Sequence, residues 1–138
     1  MLALGYNPIT TIPEEIWLLN GLKELFLHSL YPGLTEIPND IQNLTNLEGL
    51  YLHGNQLSGS IPESISNLSK LKNLYAADNE LTGSIPEWIG ELTNLEGLNL
   101  GDNQFSGSIP ESIGNLANLI WLELFNNQLS ASIPESIC

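Results

Sequence analysis

The sequence predicts an α/β solenoid, a stack of similar coils with a parallel β-sheet on one side and short returns on the other. Three observations predict it. The pair Ile-Pro recurs at Ile12-Pro13, Ile37-Pro38, Ile61-Pro62, Ile85-Pro86, Ile109-Pro110 and Ile133-Pro134, at steps of 25, 24, 24, 24 and 24 residues. A second marker, Asn55, Asn79, Asn103 and Asn127, keeps the same step of 24. Leu supplies 27 residues and Ile 14 while Val is absent, so one apolar template has been copied. A fixed period of roughly 20 to 50 residues is the mark of a repeat architecture. Residues 1–138 therefore read as a single domain of about six repeats.

Each segment of the unit has a physical reading. In Leu50-Tyr51-Leu52-His53 apolar and polar positions alternate, which predicts a short strand with both leucines on one face and Tyr51 and His53 on the other. The Asn that follows leaves the strand. Its side-chain amide can bond turn backbone groups that are otherwise buried unpaired, and stacked repeats align these amides as a ladder. Ser-Gly-Ser-Ile-Pro then turns the chain. Pro62, with no N–H and a fixed φ, suits the first turn of a helix, and Glu63 beside it favours the positive helix end. Ser60 and Glu63 have capping-box spacing, as do Ser84 and Glu87, Ser108 and Glu111, and Ser132 and Glu135. Ile65, Leu68 and Leu71 are spaced by three, which fits a 3₁₀-like or short helical return behind the strand. One coil alone leaves both sides of its leucine layer wet. Stacking pairs each strand with its neighbours and buries that layer.

These residues carry a family resemblance. Leu47 to Pro62, and again Leu71 to Pro86 with Ala76 for a Leu, fit Leu-x-x-Leu-x-Leu-x-x-Asn-x-Leu-Ser/Thr-Gly-Ser-Ile-Pro and resemble the leucine-rich repeat of the plant-type 24-residue class. That class is known from receptor-kinase ectodomains and polygalacturonase inhibitors. The resemblance implies a right-handed superhelix whose concave parallel sheet binds proteins, peptides or small signals. It also implies an extracellular or cell-surface location and paired cysteines capping both ends. This chain departs from that pattern: it carries one cysteine, Cys138, no dedicated end caps and no signal peptide, and so reads as a fragment or a capless repeat protein. Uncapped ends also predict end-to-end self-association.

Composition excludes several classes of partner. Sixteen acids against three lysines give a net charge of -13, so no basic surface exists for nucleic acid or anionic lipid. No apolar run approaches the roughly 18 residues needed to span a bilayer. The acidity favours a basic partner, although Glu63, Glu87, Glu111 and Glu135 are one template residue repeated on the returning side.

The template breaks in three places. The first unit is one residue short between Asn7 and Ile12 and lacks the Gly, and the second has Leu30 at the Asn position and one extra residue before Ile37, so a bulged loop is expected. Ala76 stands where Leu27, Leu52, Leu100 and Leu124 point inward, a gap that a shift of Tyr75 or Leu74 would fill.

Function is expected on the strand positions that the core does not use. The column between the paired leucines reads Ala3, Phe26, Tyr51, Tyr75, Asn99 and Glu123; the next reads Gly5, His28, His53, Ala77, Gly101 and Phe125. Asp78 and Asp102 follow in a third, and Trp121 precedes the last strand. Adjacent strands lie about 4.8 Å apart, so neighbours in a column touch. The partner-binding surface is thus expected to comprise Phe26, His28, Tyr51, His53, Tyr75, Asp78, Asn99, Asp102, Trp121, Glu123 and Phe125. Aromatic anchors favour a protein or peptide ligand, while cross-strand aromatic pairs also stabilise a sheet whatever binds it.

Nothing in the sequence assembles a catalytic set. No metal or cofactor is expected, because two histidines and Asp78 on an open sheet lack a full ligand set. Asp78 and Asp102 have nothing around them to distort a sugar or split their pKa values. Trp17 and Trp88 are expected as exposed aromatics on the returning side. Two sequons, at Asn43 and Asn67, would face solvent there and take glycans in a secreted protein. A second functional reading comes from the hydroxyl columns Ser58, Thr82, Ser106, Ser130 and Ser60, Ser84, Ser108, Ser132, whose regularity resembles that of plant ice-binding repeat proteins.

Overall fold

The computed structural model describes residues 1–137, so Cys138 lies outside the described residues. The alternating stretches form one parallel sheet of six strands: β1 (Leu2–Ala3), β2 (Glu24–Phe26), β3 (Gly49–Tyr51), β5 (Asn73–Tyr75), β7 (Gly97–Asn99) and β9 (Trp121–Glu123), in that spatial order. Leu2, Leu25, Leu50, Leu74, Leu98 and Leu122 stand in register across it. The strands begin a residue earlier and end two earlier than the alternation suggests. Hydrogen bonding continues beyond them, from Leu52 N–H to the Tyr75 carbonyl at 2.7 Å.

The Ser-Gly-Ser segments do more than turn the chain. They contain β4 (Ser58–Gly59), β6 (Glu80–Gly83), β8 (Gln104–Gly107) and β10 (Gln128–Leu129), a second parallel sheet across the third to sixth coils. Leu57, Leu81 and Phe105 point inward while Ser58, Thr82 and Ser106 stay exposed, so period two is present over too few residues to stand out in the sequence. Glycines 59, 83 and 107, at φ 75°, 82° and 79°, then redirect the chain. A cleft of about 350 Å³ opens between the irregular first two coils, where this second sheet is not continued.

The returns are 3₁₀ helices: η1 (Glu14–Leu18), η2 (Asn39–Asn43), η3 (Glu63–Asn67), η4 (Glu87–Glu91), η5 (Glu111–Asn115) and η6 (Glu135–Ile137). The capping boxes expected at Ser60, Ser84 and Ser108 do not form. In η1 to η5 the flanking residue is the proline itself, in extended conformation and with no side-chain cap. The reason is the tight i to i+3 ladder: Ile65 N–H reaches the Pro62 carbonyl at 3.1 Å and Leu68 N–H the Ile65 carbonyl at 3.0 Å, so the backbone closes the turn without a serine.

Two further expectations are corrected. Trp88, in η4, packs partly against the core, and Trp17 is buried at 4% exposure because the first return lacks the inward packing of the later ones: Leu19, at the position of Leu68, is half exposed. Trp17 supplies the missing apolar bulk. Around Ala76 the backbone pairing is undisturbed, with Leu74 and Tyr75 in register with β3 and β7. In the next coil Phe105, fully buried, enlarges a neighbouring column in which Leu57, Leu81 and Leu129 stand.

Asparagines bind the coils together. Asn103, the sole buried polar residue among those described, donates to the carbonyls of Leu100 and Gly101 in its own coil and of Ala76 in the coil before, and accepts from Leu81 N–H. Asn55, Asn79 and Asn127 repeat the pattern. In the irregular second coil the missing Asn is tolerated because Asn55 accepts from both Leu30 and Leu34 N–H. A further series, unforeseen from the sequence, lies where the returns meet the sheet: Asn46, Asn94 and Asn118 each donate to a carbonyl of the preceding coil.

Asn103→Ala should cost on the order of 2–4 kcal/mol in urea unfolding, because it strands several buried backbone groups. The exposed Asn43→Ala serves as its near-neutral control. Ala76→Leu should destabilise by about 1–3 kcal/mol through overpacking. Combining it with Phe105→Leu should recover part of that loss, and strict additivity of the two would show that the volumes are not shared.

Candidate functional site

On the concave sheet the predicted columns become a connected ring ladder. Phe26 and Tyr51 stack with centroids 4.2 Å apart and planes 1° from parallel, and Tyr51 meets Tyr75 edge-on at 5.3 Å. In the adjacent column His28 and His53 stack at 4.5 Å, and Tyr6 meets His28 edge-on at 5.1 Å. Phe26 joins the columns, edge-on to His28 at 6.2 Å. Parallel, in-register pairing creates these contacts: Phe26 lies opposite Tyr51, and Tyr51 opposite Tyr75.

Glycines shape this face, a role that sequence reasoning missed. A Cβ on Gly49 would stand 2.8 Å from the Tyr51 ring and closer still to the Glu24 carboxylate. One on Gly97 would stand 2.9 Å from the Tyr75 hydroxyl, one on Gly101 2.6 Å from Phe125, and one on Gly5 2.7 Å from His28. Each glycine is therefore the seat of a large neighbouring side chain. The available signal was the alternation of Gly with large residues down a column.

Burial, reinforced by the nearby Glu24 carboxylate, raises the Tyr51 hydroxyl pKa. Burial lowers the His53 pKa, the charge of His28 acts in the same direction, and Asp78 opposes both. Glu48 bridges Lys23 at 2.8 Å and Lys72 at 3.0 Å, and hydrogen bonds from these two ammonium groups lower its pKa to about 2. The bridge spans three coils at the edge of the sheet. Being exposed, it contributes little stability.

Asp78 and Asp102 sit apart from the ladder, in the turn after the strands. Their φ angles are 54° and 49°, and Tyr6, Ser29, Gly54 and Asn126 at the same turn are also left-handed. Asp and Asn tolerate that conformation better than most residues, so backbone geometry alone accounts for acids here. Asp102 accepts a bond from Asn126 at 2.7 Å. Farther along, Trp121 is 57% and Phe125 50% exposed on the last coil, and Asn99 donates a short bond to Glu123. The sequence-predicted residues thus form two patches, one around Phe26, His28, Tyr51, His53 and Tyr75, the other around Asn99, Trp121, Glu123 and Phe125.

On the opposite side, Asn43 and Asn67 are exposed within η2 and η3, with Asn67 donating to Gln42 and the Ser64 carbonyl. Among the described residues, no group of three or more His, Cys, Asp or Glu could hold a metal ion. No helix there is long and apolar enough to cross a membrane.

The match that decides the family covers residues 10–138, which fit the model of a leucine-rich repeat region. The chain belongs to the leucine-rich-repeat family. Among solved structures, the plant peptide hormone receptor RGFR1 in complex with RGF2 is 37% identical with a TM-score of 0.88, over 99% of this chain and 22% of that one. The ectodomain of the receptor kinase GASSHO1/SCHENGEN3 from Arabidopsis thaliana, in complex with CASPARIAN STRIP INTEGRITY FACTOR 2, is 41% identical with a TM-score of 0.84, over 93% and 15%. A plant ice-binding protein is 36% identical with a TM-score of 0.72, over 74% and 33%. This leucine-rich-repeat chain therefore spans a third or less of the length of each. No curated protein matches.

The stacked histidines predict a pH response. A folded-state His53 pKa below the unfolded value means that its stabilising effect is full above about pH 6.5 and is lost as the pH falls through the folded pKa. The urea midpoint should therefore fall as the pH drops below about 6.5, before the ordinary carboxylates titrate near 4. His53→Phe should flatten that slope, and an unchanged slope would refute the assignment.

Proposed function

We propose that this leucine-rich-repeat segment is a recognition module without catalytic activity, and that its concave sheet binds a peptide or protein. The observation that carries the reading is the ladder Phe26, Tyr51, Tyr75 with His28 and His53. It is a half-exposed aromatic surface already held in place by stacking and by the glycines beneath it. Aromatic side chains are the commonest anchors of interfaces, and rings held rigid before binding lose little entropy on binding. The family supports the reading, since the RGFR1 and GASSHO1/SCHENGEN3 structures are complexes with RGF2 and CASPARIAN STRIP INTEGRITY FACTOR 2. The acidic charge of -13 favours a basic ligand.

A second reading follows from the second sheet. Ser58, Thr82 and Ser106 are exposed on β4, β6 and β8, with Ser60, Ser84 and Ser108 beyond them, although across the sheet Ser58 pairs with Glu80 and Thr82 with Gln104; one similar structure is a plant ice-binding protein. A surface this rich in hydroxyls suits ice better than a peptide.

Replacing Tyr51 and Tyr75 together with Ala should abolish capture of peptides panned on the wild-type chain. Circular dichroism should show that the repeat signature survives. Retained capture would exclude the concave face. Thr82→Leu with Ser106→Leu should leave capture intact, and ice-recrystallisation inhibition lost in that pair alone would favour the second reading.

A further inference from the structure

The second concave patch contains a pocket of about 240 Å³ lined by Tyr75, Leu98, Asn99, Trp121 and Glu123. That is below the roughly 300–1,000 Å³ of small-molecule sites and suits one side chain. Three features set its chemistry. Gly97 lies opposite Trp121 in the sheet, and the Tyr75 hydroxyl lies against that glycine, so an aromatic residue stands on each side of a strand position with no side chain. The Glu123 carboxylate is fixed by a relay: Gly101 N–H donates to Asn99 Oδ1 at 3.0 Å, and Asn99 Nδ2 donates to Glu123 Oε2. Glu123 makes no ion pair among the described residues, while Lys23 and Lys72 are both engaged by Glu48. A carboxylate held in place beside an exposed indole, in a protein of net charge -13, calls for a cation from outside.

We infer that this pocket receives an arginine side chain of the ligand, stacked on Trp121 and paired with Glu123. The inference rests on the concave-face reading and adds the identity of one ligand residue. Arginine fits better than lysine because its planar guanidinium stacks on a ring face while keeping donors in its own plane for a carboxylate. Glu123 Oε1 and the Tyr75 hydroxyl oxygen are the acceptors within the lining. Asn99 is a positioning residue, since it touches the carboxylate and leaves the cation to Glu123 and Trp121.

The test uses the whole chain, labelled with ¹⁵N and titrated with Nα-acetyl-arginine methylamide, with the citrulline analogue as the uncharged isostere. Saturable shifts of the Trp121 indole N–H and the Asn99 amide with the arginine probe, absent with citrulline, are expected. Glu123→Gln should weaken the effect about tenfold or more, and added salt should weaken it in the wild type. Equal response to citrulline, or an unchanged response in Glu123→Gln with its fold verified by circular dichroism, overturns the inference. A phage-displayed random decapeptide library panned on the chain separates the two readings. Peptides that need Tyr51 and Tyr75 but bind Glu123→Gln as tightly overturn the arginine pocket alone. Peptides indifferent to Tyr51, Tyr75 and Glu123 overturn both.

Discussion

The asparagine amide after each strand is the interaction on which the rest of the solenoid depends. A coil that turns three times in 24 residues leaves backbone groups pointing inward where no water reaches, and its own chain is too short to pair them all. Asn103 meets this by spanning two coils, donating to carbonyls on both sides and accepting from a third segment. Because each amide serves the coil before it, no repeat is complete without its successor. The leucine layer fills the space that this scaffold encloses, and the second coil shows the dependence in reverse: lacking its own asparagine, it is closed by Asn55.

The same constraint decides which residues are free. Leucines are committed to the layer, Asn and Gly to turns, and Pro to the start of each return. What remains on the strands is a set of columns whose members touch because parallel pairing puts equivalent positions side by side. Phe26, Tyr51 and Tyr75 are thus held by one another. The left-handed turn that follows accounts for the acids at 78 and 102 without appeal to a ligand.

Much of this was legible in the sequence. The period gave the coil, the alternation gave the strand, and the columns read across repeats placed the ring ladder correctly. The misses have physical causes. The second sheet is built from segments of two to four residues, too short for a periodic signal. The serine and glutamate spacing pointed to capping boxes, but a five-residue 3₁₀ turn closes on its own backbone carbonyls. Trp17 was misplaced because a template argument assigns it the position of Ser66, a small half-buried residue, whereas the first coil packs by local need. The glycine seats were invisible for a related reason: glycine reads as turn or breaker within one strand, and its role appears only when the adjacent strand's side chain is laid across it.

Registered parallel strands also set a ruler. Strands repeat at about 4.8 Å and a polyproline-II chain advances about 3.1 Å per residue with three residues per turn, so two coils match one turn of a chain lying across them. A ligand in that conformation on this face would present every third side chain to an equivalent position on alternate coils. The spacing from β3 to β7, and again from β5 to β9, is one such interval. The rings at 51 and the pocket beside 121 lie three strands apart, close to four or five residues of an extended chain. The 24-residue period of the protein would thereby impose a three-residue period on such a ligand.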